Sequence, residues 1–498
     1  RKSIILGITF HTLMMLRIIS TLLFVAAVVA EYTPEALKDQ VLNLPGAESL
    51  DVSFNQFSGY LTVNTTKHNH YWFVESMGNP STDPLVFWTN GGPGCSGLLG
   101  FLTEQGPFRP NKDLSLAFNE YAWNTVANMV FIEAPCGVGF SYSDNPDVDY
   151  HTDDATTALD NYNMILAFLV RFPQYAVNDL YITSESYGGH YMPTLAKQIV
   201  DENTAAATTG NPVLNFKGFA VGNPGTTFYS VIPAGMETYW GHQLISKPLY
   251  DEFTAHCKDG NQNFATCEMI YLKMYRDVGN LNPYALDYPV CTEDSTTKGG
   301  RPLAKHGRTQ RTWLMNHMLA GLTAGEKESE TVTAIRKQLK LEPVEGYEPC
   351  EEDYMTSYLN QANVKAALHV QGDIDWVDCS RTLRYKQSDG KNDMTPYYNY
   401  LIDGGFKLNI LVYSGDDDDM CATIGTQSWI WDLGYEVSGK AWQDYTVSEQ
   451  TAGYITKWAN TKMAFATVHG AGHEVPTYKP DVALELFKMY LSGELTDA

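Results

Sequence analysis

Residues 179–191 read D-L-Y-I-T-S-E-S-Y-G-G-H-Y. The apolar, β-favouring run at residues 180–183 ends in small and polar residues, and a helical pattern follows from Tyr187 onward. A serine at a strand-to-helix turn is the layout of a nucleophile elbow, in which a sharp turn presents the hydroxyl beside a helix N-terminus. Ser186 is therefore the candidate nucleophile. Most Ser-Gly turns are only turns, however, and the usual elbow has glycine where this chain has Ser184.

Strand and helix patterns alternate on both sides of this stretch. The runs that favour buried strands are residues 84–89, 128–133, 180–183, 216–222, 407–413 and 464–468, and an antiparallel pair is predicted at 57–63 and 71–74. Helical spacing of apolar residues occupies 152–172 and 481–491. This alternation predicts an α/β fold with a mostly parallel, doubly wound sheet covered by helices on both faces.

Two of these predicted strands are followed by residues that can move protons. Residues 414–419 read S-G-D-D-D-D, and residues 469–476 read H-G-A-G-H-E-V-P. Functional residues of doubly wound sheets collect at the carboxyl ends of the strands. An acidic run is usually a solvated loop and a lone histidine is usually structural. Serine, aspartate and histidine in this order, each just after a strand, are nevertheless the chain order of α/β-hydrolases, in which the histidine takes the serine proton and the aspartate fixes its tautomer.

Four stretches resemble the serine carboxypeptidases, a family with yeast-type, plant and lysosomal members. They read W-T-N-G-G-P-G-C-S-G from residue 88, E-S-Y-G-G-H-Y from 185, Y-S-G-D-D-D-D-M-C from 413 and G-A-G-H-E-V-P from 470. The resemblance runs from about Tyr60 to the C-terminus and implies an α/β-hydrolase fold. It implies Ser186 as nucleophile, His473 as general base and Asp418 as the third member, because the family uses the second aspartate of G-D-x-D. His469 does not fit the motif.

The resemblance also assigns a substrate site. It implies that the backbone N–H groups of Gly92 and Tyr187 form the oxyanion hole. The implied grip on the terminal carboxylate of a peptide consists of Asn90, the Gly91 backbone, Glu104 and Glu185.

Paired glutamates facing a carboxylate have a physical consequence. Carboxyl groups that lie so close together cannot all be ionised, because their negative charges repel. At least one of them must therefore hold a proton and donate it to the substrate. The resemblance implies a serine-type carboxypeptidase that releases C-terminal amino acids from peptides and proteins through an acyl-enzyme. Activity is expected to be best at about pH 4–6 and to weaken near neutrality as that proton is lost.

Two other functions stay open. The resemblance implies that related acyltransferases often carry threonine in place of Asn90 and aspartate in place of Glu185, and this chain keeps the peptidase choice at both. A carboxypeptidase-like acyltransferase or esterase is therefore the nearer alternative. A secreted, catalytically silent binding protein is the other, and Ser184 is the motif departure that favours it, because it could misplace the nucleophile.

The amino-acid composition limits the kinds of binding partner that can be expected. A formal net charge of −24 over 498 residues, with a pI near 4.8, argues against nucleic acid and against anionic membrane surfaces. None of the eight cysteines forms a C-x-x-C pair, so no zinc site is expected among them. No other metal site and no cofactor is expected. Peptide C-termini are the expected partners, and homodimerisation, which occurs in parts of the family, stays open.

The N-terminal residues predict entry into the secretory pathway. Arg17 is followed by an uncharged run at residues 18–30, which is typical of a signal peptide cut near Ala30, with residues 1–13 as upstream sequence. An uncleaved anchor across residues 4–30 is the alternative. After cleavage no stable membrane association is expected, and extracellular and lysosomal or vacuolar destinations are both open. The sequon at Asn64 is the predicted glycosylation site.

Residues 31–498 are predicted to form one catalytic domain with a helical insertion over the active site at about 226–350. The polar stretch 292–346 within it is expected to be a protease-sensitive loop. The insertion is expected to line much of the two substrate pockets, with Leu99 and Tyr187 as candidate walls. Oxidising conditions should pair some cysteines, and the resemblance implies the disulfides Cys95–Cys379, Cys257–Cys267 and Cys291–Cys350. Cys136 and Cys421 are left over, with a bridge between them as the less favoured alternative.

Overall fold

A mixed β-sheet runs through the centre of the protein, as seen in a computed structural model that describes residues 32–227, 231–258, 264–291 and 347–496. The predicted signal peptide and the predicted loop at 292–346 lie outside the described residues. Within them, the sheet has eleven strands and two short ribbons have two strands each. The strands are β1 Gln56–Thr62, β2 Lys67–Val74, β3 Leu85–Thr89, β4 Phe108–Pro110, β5 Leu116–Phe118, β6 Asn128–Ile132, β7 Tyr142–Ser143, β8 His151–Thr152, β9 Leu180–Glu185, β10 Phe216–Gly222, β11 Arg384–Tyr385, β12 Asn409–Gly415, β13 Gln443–Val447, β14 Gln450–Trp458 and β15 Met463–Val468.

Helices cover the sheet and form the stretch that follows β10. The described α-helices are α1 Pro34–Lys38, α2 Leu98–Thr103, α3 Pro146–Asp149, α4 Asp154–Arg171, α5 Gly188–Thr209, α6 Ile232–Gly241, α7 Lys247–His256, α8 Phe264–Val278, α9 Glu351–Leu359, α10 Ala362–Ala367, α11 Thr395–Asp403, α12 Thr423–Asp432, α13 Val475–Tyr478 and α14 Pro480–Leu491. The predicted helices at 152–172 and 481–491 correspond to α4 and α14 within two residues at each end.

Six neighbouring strands, in the order β6, β3, β9, β10, β12 and β15, pair in parallel. Antiparallel strands β2 and β1 extend one edge, and β14 and β13 extend the other. The predicted α/β fold with a mostly parallel sheet is therefore confirmed. The β13–β14 hairpin was not predicted. Its first strand, Q-D-Y-T-V, is mostly exposed, so it lacks the apolar run that identified the others.

Both faces of the parallel strands are buried, as the apolar runs predict. On β3, Val86 and Trp88 join one apolar core whereas Leu85 and Phe87 join a second core on the opposite face. This alternation follows from the two-residue period of a strand. Packing on both faces fixes the positions of the strand ends. The loops that follow the strands are therefore held at one edge of the sheet.

The helices α6, α7 and α8 have a small apolar core of their own, which includes Met236, Phe253 and Ile270. They lie in the stretch predicted as an insertion, although its proposed limits at about 226–350 stay a prediction because residues inside that range lie outside the described ones. None of the described helices is both long enough and apolar enough to cross a lipid bilayer.

The structure contains the three disulfides that the resemblance implied. Cys95–Cys379 joins positions 284 residues apart and fastens the loop after β3 to the segment that precedes α11. Cys136 and Cys421 are both free and buried, so the alternative bridge between them is not formed.

Candidate active site

Ser186 lies at the sharp turn between β9 and α5. Its φ is 59°, in the left-handed region that side chains other than glycine rarely adopt. The turn is held by backbone hydrogen bonds on both sides. The Ser186 N–H donates to the Gly222 carbonyl at 3.0 Å, and the Ser186 carbonyl accepts from the N–H groups of Gly189 and Gly225, each at 2.9 Å. A strained residue fixed by its neighbours in this way is typical of a functional position.

Small residues make the turn sterically feasible. A β-carbon on Gly91 would overlap the Tyr187 backbone nitrogen, so the loop after β3 passes directly against the first turn of α5. A β-carbon on Gly189 would lie 2.6 Å from the Gly225 carbonyl oxygen. The two glycines therefore let three backbone segments approach Ser186 closely.

Asp418 and His473 form a buried pair beside this turn. The Nδ1 atom of His473 lies 2.8 Å from Oδ2 of Asp418, and their residues are 2% and 0% exposed. Backbone N–H groups of Met420 and Cys421 donate to the same carboxylate at 2.7 and 3.0 Å. Several fixed donors stabilise an ionised carboxylate that water does not reach.

A second aspartate–histidine pair lies nearby, at the surface of the protein. His469 Nδ1 lies 2.8 Å from Asp416 Oδ2, but 70% of the His469 side chain is exposed. The first aspartate of the motif thus pairs with the first histidine at the surface, and Asp418 pairs with His473 inside. This arrangement places His469 outside the buried cluster, as the sequence motif indicated.

Asn223 supports Asp418 and was missed by the sequence analysis. Its Nδ2 donates to Asp418 Oδ2 at 2.8 Å and to the Gly415 carbonyl at 3.1 Å, while its Oδ1 accepts from the Gly415 N–H at 2.8 Å. Its φ is 37°. One signal in the sequence was available, because Asn223 directly follows a predicted strand. That position is at the same edge of the sheet as Ser186 and Asp418.

The surroundings of His473 hold its ring and raise its pKa. The His473 N–H donates to the Tyr284 carbonyl at 2.7 Å, and the two rings meet edge to face with centroids 5.0 Å apart. Burial acts to lower the pKa of His473, but the charge and hydrogen bond of Asp418, aided by Glu474 and Glu104, outweigh burial and raise it above its ordinary value. The ring is thus poised to accept a proton.

A second buried cluster joins Asn90 to two carboxyls. Asn90 Nδ2 donates to Glu104 Oε1 and to Glu185 Oε1, each at 2.8 Å. The Asn90 Oδ1 atom accepts from Trp88 Nε1 at 2.7 Å and from the Gly100 N–H at 3.1 Å, which fixes the orientation of the amide. The three side chains predicted to grip a carboxylate therefore meet in one place.

The carboxyls of this cluster ionise only with difficulty. Burial raises the pKa of Glu104 to about 7, although the hydrogen bonds from Asn90 and Glu185 and the charge of Arg109 act in the opposite direction. Burial and the charges of Glu104 and Glu474 raise the pKa of Glu185 well above its ordinary value. At acid pH the pair therefore holds protons that it can donate.

One cavity connects the clusters. It has a volume of about 960 Å³, and both Ser186 and His473 line it together with the Asn90 cluster and the predicted walls Leu99 and Tyr187. Residues of the stretch predicted as an insertion also line it, namely Thr227, Val231, Tyr284, Tyr347, Glu348 and Pro349. The serine, the histidine and the two carboxyls of raised pKa therefore line the same cavity.

Known proteins match this sequence over most of its length. The family model described as serine carboxypeptidase matches residues 45–493. Serine carboxypeptidase 24 of Arabidopsis thaliana is 35% identical over 472 residues, covering 92% of this chain and 93% of the relative. The chain belongs to the serine carboxypeptidase family. Serine carboxypeptidase-like 25 of the same plant is also 35% identical, with 92% of each chain covered.

A solved carboxypeptidase has a similar fold. The prohormone-processing carboxypeptidase Kex1Δp of Saccharomyces cerevisiae aligns with a TM-score of 0.70 and 19% identity, covering 92% of this chain and 97% of that one. Together with the parallel sheet, this likeness establishes the α/β-hydrolase type of architecture seen in serine carboxypeptidases.

This serine carboxypeptidase chain also contains a fully buried Ser-His-carboxylate chain of contacts that a substrate cannot reach. Ser58 Oγ lies 3.1 Å from His70 Nε2, and His70 Nδ1 lies 3.0 Å from Glu133 Oε2. All three residues are 0% exposed, and Ser58 also donates to the Leu368 carbonyl. The arrangement therefore ties β1, β2 and the loop after β6 together, and access to the cavity distinguishes Ser186 from it.

Proposed function

We propose that this protein is a serine-type carboxypeptidase that hydrolyses the last peptide bond of peptides and proteins at acid pH. The observation that carries this proposal is the Asn90 amide holding Glu104 and Glu185 in the same cavity as Ser186 and His473. A cluster that offers donated hydrogen bonds to a carboxylate, beside a serine nucleophile, favours a free peptide end over an internal peptide bond.

In the proposed reaction Ser186 attacks the carbonyl of the last peptide bond while His473 takes its proton. Asp418 holds Nδ1 of the ring and stabilises the imidazolium that forms. His473 then gives the proton to the departing amino group, which releases the C-terminal amino acid and leaves an acyl-enzyme. Water attacks that ester with His473 again as base, and the shortened peptide leaves.

The backbone N–H groups of Gly92 and Tyr187 are proposed to bind the oxyanion that develops in each step. Tyr187 follows the nucleophile and caps the N-terminus of α5, where N–H groups are free to point toward a ligand. Two such fixed donors contribute roughly 3–4 kcal/mol each to transition-state stabilisation. The close approach of Gly91 to the Tyr187 nitrogen supports a single site formed by both loops.

Asn90, the Gly91 backbone, Glu104 and Glu185 are proposed to bind the terminal carboxylate. The protonated carboxyls donate to it, and the Asn90 amide keeps them in place. Deprotonation of the pair would set charges of equal sign against the substrate, so binding should weaken as the pH rises through about 7.

The deciding assay is release of the C-terminal amino acid from an N-blocked dipeptide at about pH 5, the acid range in which the pair is protonated. The wild-type protein should release it, and Ser186→Ala should abolish release. Blocking the terminal carboxyl as an amide should remove most of the activity. Equal turnover of the free acid and the amide would contradict the exopeptidase assignment.

The same preparation tests the acyltransferase or esterase alternative. Hydrolysis of an N-blocked amino-acid ester without hydrolysis of the matching peptide would indicate that alternative. Inertness toward both substrates in a folded protein would indicate a binding protein. The secretory signal near residues 14–30, glycosylation at Asn64 and delivery outside the cell or to a lysosome or vacuole belong to the same proposal, and the disulfides support an oxidising compartment.

A further inference from the structure

Three potential metal ligands from distant parts of the chain meet outside the substrate cavity. Among the described residues, His242, Asp287 and Asp417 each offer one ligand atom, and these atoms lie within 4.8 Å of one another. His242 follows the last turn of α6, Asp287 lies in the segment after α8, and Asp417 lies in the loop after β12. The sequence gives no sign of the group because its members are 45 and 130 residues apart.

Asp417 supplies an independent observation that points to a ligand. Its side chain is 3% exposed, and its Oδ1 atom accepts no hydrogen bond. That atom faces His242, whose Nδ1 lies 4.0 Å away, which is too far for a hydrogen bond. Leaving a buried carboxylate oxygen without a donor is costly, and a bound cation would remove that cost.

Three further aspartates act on Asp417, and one histidine approaches it. Asp287, Asp416 and Asp418 all act electrostatically on it. His242 is the basic side chain that approaches it, and that side chain is 31% exposed. A cation placed between the carboxylates of Asp417 and Asp287 would therefore offset their mutual repulsion.

Backbone hydrogen bonds hold Asp417 next to the segment that carries Asp287. Asp417 Oδ2 accepts from the Asp287 N–H at 3.0 Å, and the Asp417 carbonyl accepts from the Leu286 N–H at 3.0 Å. The Asp417 N–H donates to the Ala471 carbonyl at 2.9 Å. His242, at a helix end and partly exposed, can turn its ring without disturbing this framework.

We propose that His242, Asp287 and Asp417 bind a divalent transition-metal ion, with water completing its coordination. One imidazole and two carboxylates suit Zn²⁺, whereas Ca²⁺ takes oxygen ligands alone. Donor atoms of a tetrahedral Zn²⁺ site lie roughly 3.3 Å apart, so the 4.0 Å between His242 and Asp417 closes with a small rotation of the histidine ring. The ion would fasten the end of α6 to the loop that carries Asp418.

Titration of Zn²⁺ into chelator-treated full-length protein tests the site, at about pH 7 where imidazole is mostly neutral. Wild-type protein should bind one ion per chain at this site. His242→Ala and Asp287→Asn should each weaken that binding at least about tenfold, because each removes one ligand from an exposed position. His256→Ala, an exposed histidine on α7, is the matched control and should bind as the wild type does.

X-ray absorption of the loaded wild-type protein should show one histidine nitrogen with oxygen ligands, and His242→Ala should lose the nitrogen. Zn²⁺ binding that is unchanged in His242→Ala, or the absence of stoichiometric binding to the wild type, would overturn the proposal. Peptide hydrolysis at acid pH should be the same in His242→Ala and in wild type. The two readouts are independent, so a failed metal site would leave the proposed peptidase function standing.

Discussion

Ser184 occupies the space that Gly188 leaves open. A β-carbon on Gly188 would overlap the Ser184 hydroxyl, which donates to the Thr89 carbonyl at 2.6 Å. The serine that departs from the usual elbow is therefore accommodated by the glycine two residues after the nucleophile, and its hydroxyl has a hydrogen-bond partner. Ser186 keeps the strained turn, with a φ of 59°, in this arrangement.

This relationship predicts a rescue by a second substitution. Gly188→Ala should lower the free energy of unfolding by about 1–3 kcal/mol and reduce activity, because the added methyl group overpacks the elbow. Ser184→Gly should be tolerated, and the double variant should recover most of the loss. Denaturant unfolding of the four proteins in a double-mutant cycle measures the coupling. Additive effects of the two substitutions would show that the residues do not share this space.

Asp418 and Asp416 should differ sharply in their effect on turnover. Asp418→Asn removes the negative charge that holds His473 Nδ1 and favours the wrong tautomer, so kcat should fall by about 10⁴-fold. Asp416→Asn is the matched control, because it alters the exposed pair with His469 and should change kcat less than about threefold. Steady-state hydrolysis of an N-blocked dipeptide at acid pH distinguishes them. Similar losses in both variants would disprove the assignment of Asp418.

Asn223 should prove to be a positioning residue for Asp418. Asn223→Gly removes its amide hydrogen bond to the carboxylate but permits the φ of 37°, so kcat should fall by about 10-fold with little change in KM. Asn223→Ala should lose the same activity and additional stability, because alanine is strained at that φ. Measuring kcat, KM and thermal unfolding for both variants separates the lost hydrogen bond from backbone strain. Full activity in Asn223→Gly would contradict this role.

The parallel part of the sheet could be predicted because its strands are short apolar runs that end in glycine or polar residues. The β13–β14 hairpin could not, since Gln443–Val447 is largely exposed and its pairing depends on a neighbour that the local sequence does not specify. Each motif also lay directly after a strand, so the position of Ser186, Asp418 and His473 at one edge followed from the topology of parallel strands.

Other parts of the site depend on tertiary contacts that no local pattern reveals. Asn223 looks like a turn residue in the sequence, and its role appears only when β10 is placed next to β12. Glu351 and Arg109 are 242 residues apart, yet their side chains lie 3.3 Å from each other at the cavity. Such pairs form only when separate segments of the chain pack against each other.

The pH dependence of substrate binding is the sharpest test of the paired carboxyls. The pKa of Glu104 is raised to about 7 and that of Glu185 well above its ordinary value, in both cases mainly by burial. Because the protonated form donates to the substrate carboxylate, kcat/KM for a free-acid peptide should fall as the pH rises through about 7. Removing one proton gives a slope of about one decade per pH unit.

His473 should set the acid limb of the same profile. Its pKa is raised in part by the charges of Glu474 and Glu104, and burial raises the pKa of Glu474 to about 8. At acid pH both glutamates are protonated and no longer favour the imidazolium. The ring then remains available as a base at a lower pH than it would beside two anions.

Glu104→Gln should flatten the alkaline limb, because an amide donates at every pH, while a substrate blocked as a C-terminal amide should show a weaker limb in wild type. Glu351→Gln is the matched control: burial also raises the pKa of Glu351 to about 7, but its partner is Arg109 and not Asn90. Profiles of kcat/KM between about pH 4 and 9 measure the effect. An unchanged limb in Glu104→Gln, or a flattened one in Glu351→Gln, would place the controlling proton elsewhere in the cavity.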